Sequence, residues 1–557
     1  MSWLGNGRLL TSWAAFVPFG PFLIPFPVPV TVDVTSAKVD TLLPKKAPYR
    51  AGAVIWTAPD GSSVLLSATR NSKEWPEVLR VDLASGLVTT VQASQSPILA
   101  WFADANGVVR AGIGRDGKHP AIFYRTKADE PLRRSTPPPP PKGKADDGGD
   151  DMLETIRFDG PGNTKLAISN RQTGRFSVYE YDLEHDTFGK ALFEHPKVDV
   201  DRLVIDAGGY TVSGIAYEDD RPRVKWLDAE QGRLQAQIDR IFPNTVNTMT
   251  SRSQDGNLVV VETMGPDSAG MSYLFDRKAR IMKGLLPAFD NRETLHLSPV
   301  RAFDFKARDG LEIPGYLTLP VGKATKALPL IVMPHGGPFA RDRWGYDPYV
   351  QFLASRGYAV LQPQFRGSTG FGRSFVEKGY GQWGAAMQDD LLDGIAALAR
   401  EGTIDPKRVC IVGISYGGYA AEWGAARDAA HYRCAISLAG VSDIRAQLRH
   451  DRSLFYAPRY AAAWAKKVEG EEKRDLDAFS PLQQQTAITI PLLIAHGEAD
   501  NNVPANQSHQ LVKALQRRNA TVEGLFYKGE GHGLTDAKNQ ADFLSHVEAF
   551  LAKYNPA

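Results

Sequence analysis

The chain has 557 residues, more than one compact core accommodates, so at least two domains are expected. Hydrophobic residues make up 43% and charged residues 23%, which are ordinary globular values, and 65 basic against 63 acidic residues leave a net charge of +2. That balance gives no electrostatic reason to expect a nucleic-acid or anionic-membrane partner.

Residues 9–30, LLTSWAAFVPFGPFLIPFPVPV, are apolar, but Pro18, Pro21, Pro25, Pro27 and Pro29 break any helix there and argue against a spanning segment. A signal peptide is the weaker reading, because Arg8 is a meagre charged region and no clean cleavage site follows. The stretch WLGNGRLLTSW reads instead as a strand pair turning at Asn6-Gly7. From the start to about residue 297, short β-branched and aromatic runs alternate with Gly/Asp/Asn turns. TAPDGSSVLLSAT at 57, FDGPGNTKLAISN at 158 and RSQDGNLVVVET at 252 each place a turn before an apolar strand. Units of this kind recur at roughly 40–50 residues, the period of four-stranded propeller blades. Residues 1–297 are therefore read as a β-propeller of about six to seven blades, entered in mid-blade as though its start were truncated; an irregular β-sandwich is the alternative. STPPPPPKGKADDGGDD, residues 135–151, interrupts the repeats as a solvated insertion.

After residue 297 the texture changes. RAFDFKARDGLEIPGYLTLP predicts a hairpin turning at Asp309-Gly310, with Phe303 and Phe305 on one face. Apolar strands then alternate with helices: LPLIVMP, AVLQPQ, VCIVG, CAISLAG, PLLIAHG and VEGLFYKG are strands. AAMQDDLLDGIAALAREG is a helix with Met387, Leu391, Ile395 and Leu398 on one face. Residues 298–557 are read as an α/β domain with a mostly parallel sheet. Cys410 and Cys434, the two cysteines, lie in apolar runs and read as buried free thiols. No CxxC or HExxH spacing occurs, so no metal or cofactor is expected.

GISYGGYAA, residues 413–421, follows the buried strand RVCIV and opens a helix-like run. Strand, sharp turn and helix is the arrangement of a nucleophile elbow, with Ser415 as the nucleophile and helix N-terminal N–H groups available to an oxyanion. A bare G-x-S-x-G is weak, with about 0.3 chance matches in a chain of this length. Its context and its partners raise it. On such a fold the orienting acid and then the base follow at later strand ends. Asp500 directly follows PLLIAHGEA, and His532 sits in GEGHGL after the next strand; His509 and His546 fall in helical patterns and read as surface residues. Ser415, Asp500 and His532 are thus the candidate triad. The Tyr416 N–H and the HGGP loop, which includes His335, Gly336 and Gly337, are the candidate oxyanion donors.

PHGGP, FRGSTGFG, WGAAMQDD, DPKRVCIVGISYGGYAA, HGEADNNVP and GEGHG stand in this order between residues 334 and 533. Together they resemble the prolyl oligopeptidase family of serine peptidases, nearest its acylaminoacyl-peptidase-like and dipeptidyl-peptidase-like branches. The resemblance implies a β-propeller joined to an α/β-hydrolase domain, with the propeller over the site, and a preference for short peptides. It implies His335 beside the oxyanion site and Asn502 as a binder of a substrate carbonyl. Phe365 and Arg366 flank the site as further substrate-binding candidates, although Gln364-Phe365-Arg366 departs from the family's usual NYR and Leu534 from its usual Phe. A carboxylesterase on the same fold and a catalytically silent binding protein are the alternatives. Partners are expected to be short peptides, with no nucleic acid and no membrane; a homo-oligomer is left open. The compartment reads as cytoplasmic for the chain as it stands, or periplasmic or secreted if an upstream signal sequence has been lost.

Overall fold

The computed structural model of the chain describes residues 2–557 other than 5–6, 20–21, 44–49, 70–74, 117–118, 138–151, 159–164, 207–210, 254, 288–295, 324 and 455–457. Asn6 and most of the Pro-rich insertion lie outside the described residues. Among the described residues no helix is long and apolar enough to cross a membrane.

Among the described residues, six antiparallel sheets precede residue 288, five of four strands and one of three, each with its strands in chain order. They are the blades of a six-bladed β-propeller. A blade of this kind is a chain of hairpins, so tight Asp/Gly turns and alternating burial are all the sequence has to encode. The apolar N-terminal stretch is part of it: Ser2–Leu4 pairs with Arg8–Phe19, which pairs along its whole length with Phe22–Asp33. Backbone groups of successive strand residues point to alternate edges, so Pro25, Pro27 and Pro29 withhold their donors from one and the same edge. The Pro29 carbonyl accepts from the Leu42 N–H beside the next strand, Val39–Thr41, so that edge is the one turned away from Arg8–Phe19. The prolines that exclude a helix are thus compatible with a hairpin.

By compactness the chain forms two units. The first comprises 1–240, 249–261 and 275–281, and the second comprises 241–248, 262–274 and 282–557. The strands Val246–Arg252, Leu258–Gly265, Ser268–Asp276 and Ile281–Pro287 of the last blade are therefore divided between the two units, whereas the sequence reading places the boundary at 297.

The second unit is built on an eight-stranded sheet. Its strands are β1 (Val300–Ala302), β2 (Gly315–Thr318), β3 (Leu328–Val332), β4 (Ala359–Pro363), β5 (Ile404–Ile414), β6 (Cys434–Leu438), β7 (Leu492–Gly497) and β8 (Val522–Tyr527). They lie in the order β1-β2-β4-β3-β5-β6-β7-β8, antiparallel through β2–β4 and parallel thereafter. Every residue of β3, β4, β6 and β7 is buried, as expected of parallel strands covered on both faces. The predicted amphipathic helix spans Ala386–Arg400 and buries Met387, Leu391, Ile395 and Leu398. The predicted hairpin pairs Phe305–Lys306 with Glu312–Ile313 across Gly310 (φ +87°).

The cysteines are not free thiols. Parallel pairing sets Cys410 of β5 directly opposite Cys434 of β6, and the two form a disulfide with a Cα–Cα distance of 4.9 Å. Their apolar flanks correctly indicate burial, but pairing is a matter of strand register, which a 24-residue separation in sequence does not reveal.

Candidate active site

Ser415 stands between β5 and helix α1 (Tyr416–Arg427), which it caps, with φ +62° and ψ −121°. A non-glycine residue held there is strained, and the surroundings enforce it. The Ser415 N–H donates to the Leu438 carbonyl of β6 at 2.9 Å. A Cβ on Gly413 would lie 2.2 Å from the Gly417 carbonyl oxygen, and one on Gly417 would lie 2.1 Å from the Pro334 carbonyl oxygen. Only glycine at both positions lets strand, turn and the loop after β3 approach this closely.

Three loops then converge. His532 Nε2 lies 2.9 Å from Ser415 Oγ, and its Nδ1 lies 2.7 Å from Asp500 Oδ2. Asp500 sits at the carboxyl end of β7 with its side chain fully buried. Its Oδ1 accepts the backbone N–H groups of Asn502 and Val503, at 2.8 and 2.9 Å. Its Oδ2 accepts from His532 and also from His496 Nε2, at 3.1 Å. Burial opposes ionisation, but the hydrogen bonds from His496, His532 and Val503 hold the carboxyl well below the usual range. His496, from the strand PLLIAHG, was not among the sequence-predicted site residues. It is fully buried, with Nδ1 2.7 Å from Ser508 Oγ. The sequence carries no clue that its ring turns towards the position four residues on. His509 and His546 are half-buried and lie 3.0 Å from the carboxylates of Glu498 and Glu523.

The candidate oxyanion donors are backbone N–H groups. The first-turn N–H groups of α1 have no carbonyl within the helix to bond. A Cβ on Gly336 would stand 3.3 Å from Ser415 Cβ, so the loop after β3 lies against Ser415, and Gly337 has φ +115°. The His335 ring faces away from this role. Its Nδ1 donates to the Gly336 carbonyl at 2.7 Å, and its Nε2 lies 2.8 Å from Ser368 Oγ. Burial, aided by the Arg341 charge, lowers its pKa to about 4 against the opposing pull of the Gly336 carbonyl, so the imidazole is neutral. His335 therefore shapes the loop and its side chain is no oxyanion donor.

Two substrate-binding expectations need correction for the same kind of reason. Phe365 is 1% exposed and stacks on His335 with centroids 4.3 Å apart, behind the loop. Arg366 is committed to Asp390, through Nε and Nη2 at 2.9 and 2.7 Å, and to Asp309, through Nη1 at 2.9 Å. Both side chains are internal supports. The Asn502 side chain is exposed, while its backbone N–H and C=O bond Asp500 and Gln447.

The family model of the prolyl oligopeptidase family matches residues 344–556. Residues 344–556 thus carry the peptidase domain of the prolyl oligopeptidase family. It is 29% identical over 541 residues to dipeptidyl aminopeptidase BIII of Pseudoxanthomonas mexicana, covering 94% of this chain and 76% of that protein. It is 30% identical over 500 residues to dipeptidyl peptidase family member 6 of Caenorhabditis elegans, covering 84% of this chain and 66% of that protein. The fold is similar to that of a Mycobacterium tuberculosis puromycin-hydrolyzing peptidase, with a TM-score of 0.72 and 20% identity over 99% of this chain and 86% of the other.

In this peptidase one further buried acid adjoins the site. Glu422 of α1 is fully buried and accepts from Ser437 Oγ at 2.8 Å and Ser442 Oγ at 2.7 Å. Burial raises its pKa from 4.5 to about 7, against the lowering effect of the two serines and the nearby His496. A carboxyl raised in the fold favours folding below its unfolded value, and that contribution is lost as pH rises to about 7. Glu422→Gln cannot ionise, so its stability relative to the parent should improve between pH 5 and pH 8 by up to about 3 kcal/mol. Denaturant unfolding at the two pH values measures this, and equal differences at both would count against it.

Proposed function

We propose that this peptidase hydrolyses short peptides through an acyl-enzyme formed on Ser415. The observation that carries the reading is the unbroken line from Ser415 Oγ through both His532 nitrogens to Asp500 Oδ2. Ser415 Oγ attacks the scissile carbonyl carbon while His532 Nε2 takes the hydroxyl proton. The oxyanion forms towards the Tyr416 N–H and the Gly336-Gly337 backbone. His532 then gives the proton to the leaving nitrogen as the C–N bond breaks, leaving an ester on Ser415. Water, deprotonated by the same imidazole, attacks that ester and restores the serine. Asp500 stays ionised throughout, holding the Nδ1–H tautomer and stabilising the imidazolium. Asn502, exposed two residues beyond Asp500, is the candidate partner for a substrate carbonyl.

Release of dipeptides from free N-termini is the mode suggested by the names of the dipeptidyl peptidase relatives. A peptide library with free and acetylated N-termini, digested and read by mass spectrometry, tests both levels. Products shortened by two residues, only from free N-termini, are expected. Shortening by one acylated residue would replace that mode with acylaminoacyl release. Turnover of activated esters with every peptide left intact would overturn the peptidase reading in favour of a carboxylesterase. The Cys410–Cys434 bond supports an oxidising compartment, and so the periplasmic or secreted option.

A further inference from the structure

Glu530 is a charged residue that the mechanism above leaves without a task. It is 2% exposed and lies two residues before His532, in the loop between β8 and helix α2 (Ala537–Tyr554). Its Oε2 accepts the Thr535 N–H and the Thr535 hydroxyl, both at 2.8 Å. Its Oε1 accepts the Asp536 N–H at 2.9 Å and Asn539 Nδ2 at 2.7 Å. The carboxylate thus bridges the base of a short loop whose tip carries His532. The same residue ties that loop to the neighbouring one, because its carbonyl accepts the Ala499 N–H, adjacent to Asp500, at 2.8 Å. The approach is close enough that a Cβ on Gly497 would lie 2.5 Å from the Glu530 carbonyl oxygen.

We infer that Glu530 is a positioning residue for catalysis: its carboxylate closes the His532 loop and so sets the imidazole between Ser415 and Asp500. The chemistry of the four donors requires a carboxylate. Each oxygen faces a backbone N–H, from Thr535 on one side and Asp536 on the other, and neither can be reversed. An amide presents its NH₂ to one of them whichever way it is turned. Burial opposes the charge, yet the bonds from Asn539, Thr535 and Asp536 hold the pKa down to about 2, consistent with an anion these donors select. A base displaced by about 1 Å costs about 100-fold in rate without altering how substrate is held.

This inference rests on His532 being the base, so the test separates the two. Turnover of an activated ester and a peptide is measured for the full chain, for Glu530→Gln, for His532→Ala and for the double variant. His532→Ala with parental activity would refute the triad itself. With the triad upheld, Glu530→Gln is expected to lower kcat by about 10- to 100-fold with KM within about twofold. In the His532→Ala background the same change is expected to lower the residual activity by less than about twofold, because its effect passes through His532. An equal loss in both backgrounds, or a parental kcat in Glu530→Gln, overturns the inference. Should Glu530→Gln not yield folded protein, the same cycle is read on Asn539→Ala, which leaves the other three bonds in place. A several-fold fall in kcat confined to the His532 background supports the inference, and no fall or an equal fall overturns it.

Discussion

Replacing Ser415 by alanine is expected to lower peptide turnover by about a million-fold, since the members of a triad act as a unit. The fold should survive the change. Ser415 Oγ and the His532 ring that it bonds are only part-buried, so its loss leaves no fully enclosed partner stranded. The strained backbone at φ +62° is held by the Leu438 carbonyl and by the glycines around it, and a Cβ is already present there. Covalent labelling by a fluorophosphonate should disappear, while circular dichroism and the unfolding midpoint stay close to those of the parent. Labelling or turnover near the parental level would place the nucleophile elsewhere.

Asp500→Asn is expected to be the next most damaging change, lowering kcat by about ten-thousand-fold. The reason is the saturation of the carboxylate. Its Oδ1 receives two backbone N–H groups and its Oδ2 receives N–H groups from His496 and His532. An asparagine must direct its NH₂ at one of these pairs. Facing the backbone, it meets two fixed donors. Facing the imidazoles, it makes His532 accept at Nδ1, which leaves a proton on Nε2 where the base must be free. Steady-state kinetics across pH, with probe labelling as a count of intact sites, measures the effect. A loss of less than about tenfold would mean that orientation of His532 rests on the surrounding loop and not on Asp500.

Much of this site is legible in the sequence because it is built from local patterns. The elbow at Ser415 announces itself as a buried strand, a glycine-bracketed serine and a helix, and the crowding that requires glycine at 413 and 417 is local to the turn. Asp500 and His532 are identifiable because parallel strands deliver their loops at one edge of the sheet, so chain order maps onto spatial order. The propeller is legible for a related reason. Each blade is closed by short turns, and burial alternates along strands such as Leu258–Gly265.

Other features depend on which side chains meet across elements distant in sequence, and only the tertiary structure decided them. Strand register set Cys410 opposite Cys434 and turned two apparent thiols into a disulfide. Arg366 and Phe365 are substrate-binding candidates in the sequence, but the fold brings Asp390 and Asp309 to the Arg366 guanidinium and stacks Phe365 on His335. His496 and Glu530 passed unnoticed for the converse reason. A histidine at a strand end and a glutamate in a glycine-rich turn are ordinary in sequence, and they acquire meaning only where buried donors and acceptors must be matched atom by atom. The sequence by itself determined the two folds, the elbow at Ser415 and the later strand ends that carry Asp500 and His532, because periodicity and turn chemistry act over a few residues. The tertiary structure decided how each polar group is satisfied, because a desolvated donor or acceptor is paired by proximity in space, which no local pattern encodes.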